Sequence, residues 1–159
     1  VILAFEDDQL TGYEKQMIML ENLYPQPIED VQAALEMGMK FLDGGKVGED
    51  EDSGPRLFSF EKDANLIFAA FRQTHGIDLQ NIEYLHWWSF LALFMDLGAD
   101  TAFCNLVGLR KRVKSGKATK EERETAREMG DMFDVPEIDD RTLEEKEKEA
   151  EFLRLVGGK

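Results

Sequence analysis

Ile82-Glu-Tyr-Leu-His-Trp-Trp-Ser-Phe-Leu-Ala-Leu-Phe-Met-Asp-Leu97 is the stretch whose reading decides the fold. It holds Trp87 and Trp88, the two tryptophans of the chain, with Tyr84, Phe90 and Phe94 beside them. Between Glu83 and Asp96 there is no Asp, Glu, Lys or Arg. A helix that is apolar nearly all round has to be covered by neighbours on several sides. The expectation is an all-α fold, a compact bundle of about six to seven helices around a central aromatic helix, Ile82–Leu97. Phe68, Phe71, Tyr84, Trp87, Trp88, Phe90 and Phe94 are its expected structural core. Asp78 or Asn81 is the expected cap of the aromatic helix, with His86 inside it as a hydrogen-bonded core residue rather than a base.

Outward from there, helical spacing continues on both sides. Upstream, Phe60, Ala64, Ile67, Phe68 and Phe71 form a stripe that Gly76 closes. Ser59 is a candidate cap, and Glu61 and Asp63 suit the positive end of the helix dipole. His75 falls in the last turn. Downstream, Asp100 or Thr101 starts a helix in which Phe103, Leu106, Val107 and Arg110 share a spacing and Cys104 is a small packed residue.

At the start of the chain, Val1–Glu6 reads as a helix end, with an edge strand as the rival. The chain opens in mid-pattern, so a trimmed start with more of the fold upstream is expected. Thr11 with Glu14 makes a capping box for a helix to about Leu23, where Met17 and Leu20 share a face. Tyr24-Pro25-Gln26-Pro27 stops it, and Pro27 can serve as the first position of the next helix. There Ile28, Val31, Leu35, Met39 and Leu42 recur at helical steps before Asp43-Gly44-Gly45. Near the other end, Thr119 with Glu122 is a second box, opening a charged helix whose apolar remnants are Met129, Met132 and Phe133. Val135-Pro136 stops it. Thr142 with Glu145 opens a last helix that is polar until Phe152.

The domain reading is therefore a helical core over 1–135 and an acidic linker with a polar helix over 136–159. A chain of 159 residues can bury a sizeable core without disulfide or metal. Cys104 is its one cysteine, which rules out an internal disulfide. The net charge of −14 argues against nucleic-acid binding over the whole surface and against anionic membranes. No apolar run approaches the ~20 residues that span a bilayer, and no signal-peptide pattern is legible.

Two charge clusters stand out. Lys46–Pro55 carries consecutive acids from Glu49 to Asp52, without the alternation a calcium loop needs, and reads as a solvated loop. Arg110, Lys111, Arg112, Lys114, Lys117 and Lys120 then follow without an intervening acid. Such a run can touch a nucleic-acid backbone, accept an acidic partner or pair with the chain's own carboxylates. No aromatic interleaves with it, so single-strand stacking is not supported. There is no glycine-rich phosphate loop, no H-E-x-x-H and no cysteine pair. No enzyme is expected, and no catalytic residue, cofactor or metal site is assigned.

Read together, Phe58-Ser-Phe-Glu-Lys-Asp-Ala-Asn-Leu-Ile-Phe-Ala-Ala-Phe71, His75-Gly-Ile-Asp-Leu79, Tyr84-Leu-His-Trp-Trp88 and Asp100-Thr-Ala-Phe103 resemble a family of tailed-phage proteins. Its members are encoded between the major tail protein and the tape measure protein in siphophages and prophages of Gram-positive bacteria. The resemblance covers about Leu10 to Val135. It implies a tail assembly chaperone that binds the tape measure protein, keeps it soluble and helps recruit tail tube subunits. It also implies a place in the host bacterial cytoplasm during assembly and absence from the finished virion.

On that reading Met17, Met37, Met39, Met129, Met132 and Phe133 edge an adaptable apolar groove, with Trp87 and Trp88 bracing the core beneath. The alternative is that these methionines are ordinary core filler. Arg110, Lys111, Arg112 and Lys114 would pair with acidic stretches of neighbouring copies during self-association. The rival reading of the function is an acidic decoy or regulatory protein that binds a host nucleic-acid-binding factor through Glu49–Asp52 and the C-terminal helix.

Overall fold

A computed structural model describes residues 1–45 and 54–135. Every regular element among them is helical: α1 (Ile2–Glu6), α2 (Gly12–Leu23), α3 (Val31–Leu42), α4 (Ala64–His75), α5 (Trp87–Met95), α6 (Ala102–Lys114), α7 (Lys120–Met129) and a 3-10 turn, Gly130–Met132. The all-α expectation holds. The acidic run Glu49–Asp52 and the Thr142 capping box lie outside the described residues, as does the last helix. The chain divides into two compact units, one containing Val1–Met39 and the other Lys40–Glu137.

In the first unit α1 packs against α2. Thr11 starts α2 by the expected box: its hydroxyl accepts from the Glu14 N–H, and the Glu14 carboxylate accepts from the Thr11 N–H at 2.8 Å. Met19 is fully buried and sits where Gly38 of α3 has no side chain; a Cβ there would lie 3.1 Å from the Met19 thioether. Pro27 does not start α3. Asp30 does, its carboxylate accepting from the Ala33 N–H at 3.0 Å. Asp30 relieves an orphan donor of the first turn, which Pro27 has no side chain to do.

The second unit has its core on α4 and α6. Ile67, Ala70, Phe71 and Phe103 are buried together, and Phe58, Phe60, Phe90 and Phe94 pack against them. Phe71 and Phe90 stack with centroids 5.1 Å apart and planes 7° apart, and Trp87 and Phe94 stack on Phe90 in turn. Gly76 ends α4 in the left-handed conformation at φ 68°, open to glycine without a Cβ clash. Thr101 caps α6 and accepts from the Cys104 N–H.

Three sequence expectations change here. The aromatic helix is shorter than Ile82–Leu97: α5 begins at Trp87, because Asp78 closes a turn on the N–H groups of Gln80 and Asn81 instead of capping it. His86 is not inside the helix but is its N-cap, with Nδ1 accepting from the Trp88 N–H at 3.2 Å. Ser59 closes the turn before α4, its hydroxyl accepting from the Lys62 N–H, while Asp63 stands at the N-cap position.

Asp63 is itself buried, and its partner is Arg110 of α6. The guanidinium binds both carboxylate oxygens, at 2.6 and 3.1 Å. It also donates to the carbonyls of Leu57, Met132 and Phe133. One side chain thereby ties together the segment before α4, the start of α4, and the chain after α7. Arg110 is fully buried, so it leaves the set of exposed partner-binding cations.

α7 opens on the expected box. Glu122 accepts from the Thr119 N–H at 3.0 Å and also from Arg112 Nε at 2.7 Å. The Thr119 N–H, with help from Arg112, holds the Glu122 carboxyl below its ordinary range. A depressed folded-state pKa contributes stability above the unfolded value and loses it as pH falls through the folded one. Glu122→Gln keeps the box geometry and removes the charge. It should lower the urea midpoint at about pH 7, with the difference from wild type shrinking as pH falls through the folded-state pKa of Glu122. A difference that does not shrink would sink this account.

Candidate functional site

The second unit presents α5 with two apolar faces. Phe90, Leu93 and Phe94 pack against the core formed by α4 and α6. Trp88, Ala92 and Met95, at helical steps of four and three, point away from it and are exposed, with Leu91 half-buried beside them. Met95 is 77% exposed and Trp88 46%. Tyr84, in the segment leading into the helix, is 76% exposed. These are large apolar groups on an ordered element.

The position of α5 is fixed by its two indoles. Trp87 Nε1 donates to the Leu42 carbonyl and Trp88 Nε1 to the Phe41 carbonyl, both at 2.9 Å. Those carbonyls lie in the end of α3 that belongs to the second unit, and the Phe41 carbonyl also accepts from the Gly44 N–H at 3.2 Å. Phe41 packs on Trp88 with centroids 6.0 Å apart. Gly44 and Gly45 follow with φ of 71° and 81°, and a Cβ on Gly44 would lie 3.1 Å from Leu91. One edge of each indole is thus spent on α3, while much of the Trp88 ring stays uncovered. Trp88→Phe removes one of these bonds and should cost about 1 kcal/mol in urea denaturation; no change would mean that the bond contributes nothing net.

The first unit carries a separate open apolar groove of about 550 Å³ between the Tyr24–Asp30 segment and the outer side of α3. Ile28, Ala33 and Met37 line it, and Glu29 and Asp30 stand at its edge. The Tyr24 hydroxyl donates to the Ala34 carbonyl at 2.9 Å and holds the segment to the helix.

The sequence-derived residues fall as follows. Met17, Met37 and Met39 are exposed in the first unit. Met132 is exposed in the second, where Met129 and Phe133 are half-buried. The six therefore divide between two units, and neither unit carries the whole expected groove. Lys111, Arg112 and Lys114 lie at the surface; Arg112 pairs with Glu122, and Lys114 donates to the Arg56 carbonyl. Of the expected core, Phe71 is fully buried, and Phe68, Trp87, Phe90 and Phe94 are half-buried. Tyr84 and Trp88 are corrections. Both are exposed: the end of α3 covers only part of the Trp88 ring, and Tyr84 precedes α5. Sequence reasoning missed the outward stripe and the groove beside Tyr24, although Trp88, Leu91, Ala92 and Met95 recur at helical steps and Ile28, Ala33 and Met37 flank the proline turn.

Glu14, Asp78, Glu121 and Glu122 have lowered pKa values, each caused first by hydrogen bonds at a turn or helix start. They are stabilised anions that cap backbone, not bases raised toward neutrality. The His75 Nε2–H donates to the Leu93 carbonyl at 2.9 Å, which joins α4 to α5. Among the described residues no helix is long and apolar enough to cross a membrane.

A protein-family model described as "Bacteriophage Gp15 protein" matches residues 1–135. The chain belongs to the bacteriophage Gp15 protein family. Neither a curated protein nor a solved structure matches it. The Gp15 match covers every described helix and the tryptophan pair.

Proposed function

We propose that this Gp15-family chain is a non-catalytic tail assembly chaperone that binds the tape measure protein and helps recruit tail tube subunits in the host cytoplasm. The observation that carries the reading is the exposure of Tyr84, Trp88 and Met95 on a chain of net charge −14. Large exposed apolar patches mark interaction sites, and a strongly acidic surface keeps the carrier of such a patch soluble. A long helical tape measure with uncovered apolar stripes needs a holder with those two properties.

The test is co-expression with the tape measure protein of the same genome. The tape measure should be soluble and co-purify only when this chain is present. If its soluble fraction is unchanged by the chain, the chaperone reading falls, and a pull-down from host extract tests the acidic-decoy alternative instead.

Self-association is part of the proposal. Lys111, Arg112 and Lys114 are exposed cations close together on α6 of a chain whose net charge is −14. Lys111→Glu, Arg112→Glu and Lys114→Glu together should reduce the mass of any oligomer measured by light scattering. An unchanged mass would show that these cations do not join copies.

A further inference from the structure

We propose that the outward face of α5, formed by Trp88, Leu91, Ala92 and Met95 with Tyr84, is the docking site for an amphipathic helix whose apolar stripe is bordered by lysine or arginine. The proposal deepens the chaperone reading and rests on it in one respect only, that the tape measure protein supplies the helix.

The apolar half of the argument is the geometry of the face. Trp88, Leu91, Ala92 and Met95 occupy positions i, i+3, i+4 and i+7, the pattern by which one helix meets another. From Trp88 to Met95 the stripe is roughly 10 Å long, the length of two turns of a partner helix. Trp88 is held from behind by its bond to the Phe41 carbonyl and its contact with Phe41. Its exposed ring therefore loses little conformational freedom on binding. Trp and Tyr are also the residue types that most often dominate the energy of such contacts.

Charge complementarity identifies the occupant. No Lys or Arg occurs between Arg72 and Arg110, whereas Asp78, Glu83, Asp96 and Asp100 do. Asp96 continues the stripe of Trp88 and Ala92 by one further step of four and is exposed; Glu83 is the neighbour of Tyr84 and is exposed. A helix with acidic flanks would be repelled at both ends of the stripe, and one with basic flanks would be attracted at both.

The test uses the full chain and two labelled peptides of equal length. Each carries one leucine–phenylalanine stripe, flanked by lysine in one and by glutamate in the other, and binding is read by fluorescence anisotropy. The lysine-flanked peptide should bind, with the glutamate-flanked one at least about tenfold weaker. Met95→Gln combined with Tyr84→Ser changes two side chains more than three-quarters exposed and should weaken binding at least about tenfold. Asp96→Lys should weaken it similarly, with the effect shrinking at high salt. It puts a cation at the C-terminal end of α5, which the helix dipole favours, so lost binding cannot be laid to unfolding.

Peptide binding that ignores these three substitutions, or that prefers acidic flanks, overturns the proposal. So does a wild-type dimer that Met95→Gln and Tyr84→Ser dissociate, since a second copy would then be the occupant. The two readings fail separately. If wild type and variants retain the tape measure equally, this docking site is wrong and the chaperone role stands. If wild type ignores the tape measure yet binds the lysine-flanked peptide through α5, the site stands and the partner is wrong.

Discussion

Arg110→Ala is expected to destabilise the second unit by about 3–5 kcal/mol, among the largest effects available to a single substitution in this chain. The guanidinium has no exposure and makes five hydrogen bonds, two to Asp63 and three to the carbonyls of Leu57, Met132 and Phe133. Its removal leaves a buried carboxylate without its counter-ion and three carbonyls without that donor. The pair is not itself a large net stabiliser, since desolvating two charges offsets most of their attraction. The loss comes from breaking it. Arg110→Met with Asp63→Leu removes both charges at similar volume and should recover part of the stability. Recovery stays partial because the three carbonyls remain unserved. Urea denaturation of the singles and the double checks both statements. A single-variant loss below about 1 kcal/mol would show that water reaches the site and replaces the guanidinium.

Phe71→Ala should cost a comparable amount, about 3–5 kcal/mol, for a different reason. Phe71 is fully buried, stacks on Phe90 and meets the His75 ring at 5.6 Å. Alanine leaves a ring-sized void between α4 and α5, and Phe90 loses the partner that sets its plane. Phe71→Leu fills most of that volume and should cost less than about 1.5 kcal/mol. If the two variants unfold at the same denaturant concentration, the stack of Phe71, Phe90 and Trp87 is not what holds α5 on the core.

Legibility in the sequence followed the range of the interactions involved. Thr11, Thr101 and Thr119 were readable as caps, and Gly76 and Gly44 as stops, because each acts on backbone within a few residues. The stripe of Ile67 and Phe71 was readable because its period is that of a helix. The start of α5 was not. The apolar pattern runs unbroken through Ile82 and Leu85, while the structural boundary is set by the Asp78 turn and by His86, a residue type seldom used as a cap.

Arg110 was misread for an instructive reason. Its charge groups it with the surface cations Lys111 and Arg112, while its helical spacing from Phe103 and Leu106, both buried, puts it on their face of α6. Periodicity outranked charge there. Tyr84 and Trp88 mark a harder boundary. Composition shows that a helix is apolar on every side. It does not show whether the chain itself or another molecule covers the second side.

The placement of both tryptophans on one helix makes the chain its own spectroscopic reporter. Trp87 and Trp88 lie in the second unit, and the first contains none. Indole emission therefore follows the loosening of α5 alone, whereas backbone circular dichroism follows all the helices. If the two signals fall at one denaturant concentration, the units melt as a single cooperative body. If dichroism changes while emission is still native, the first unit opens ahead of the second.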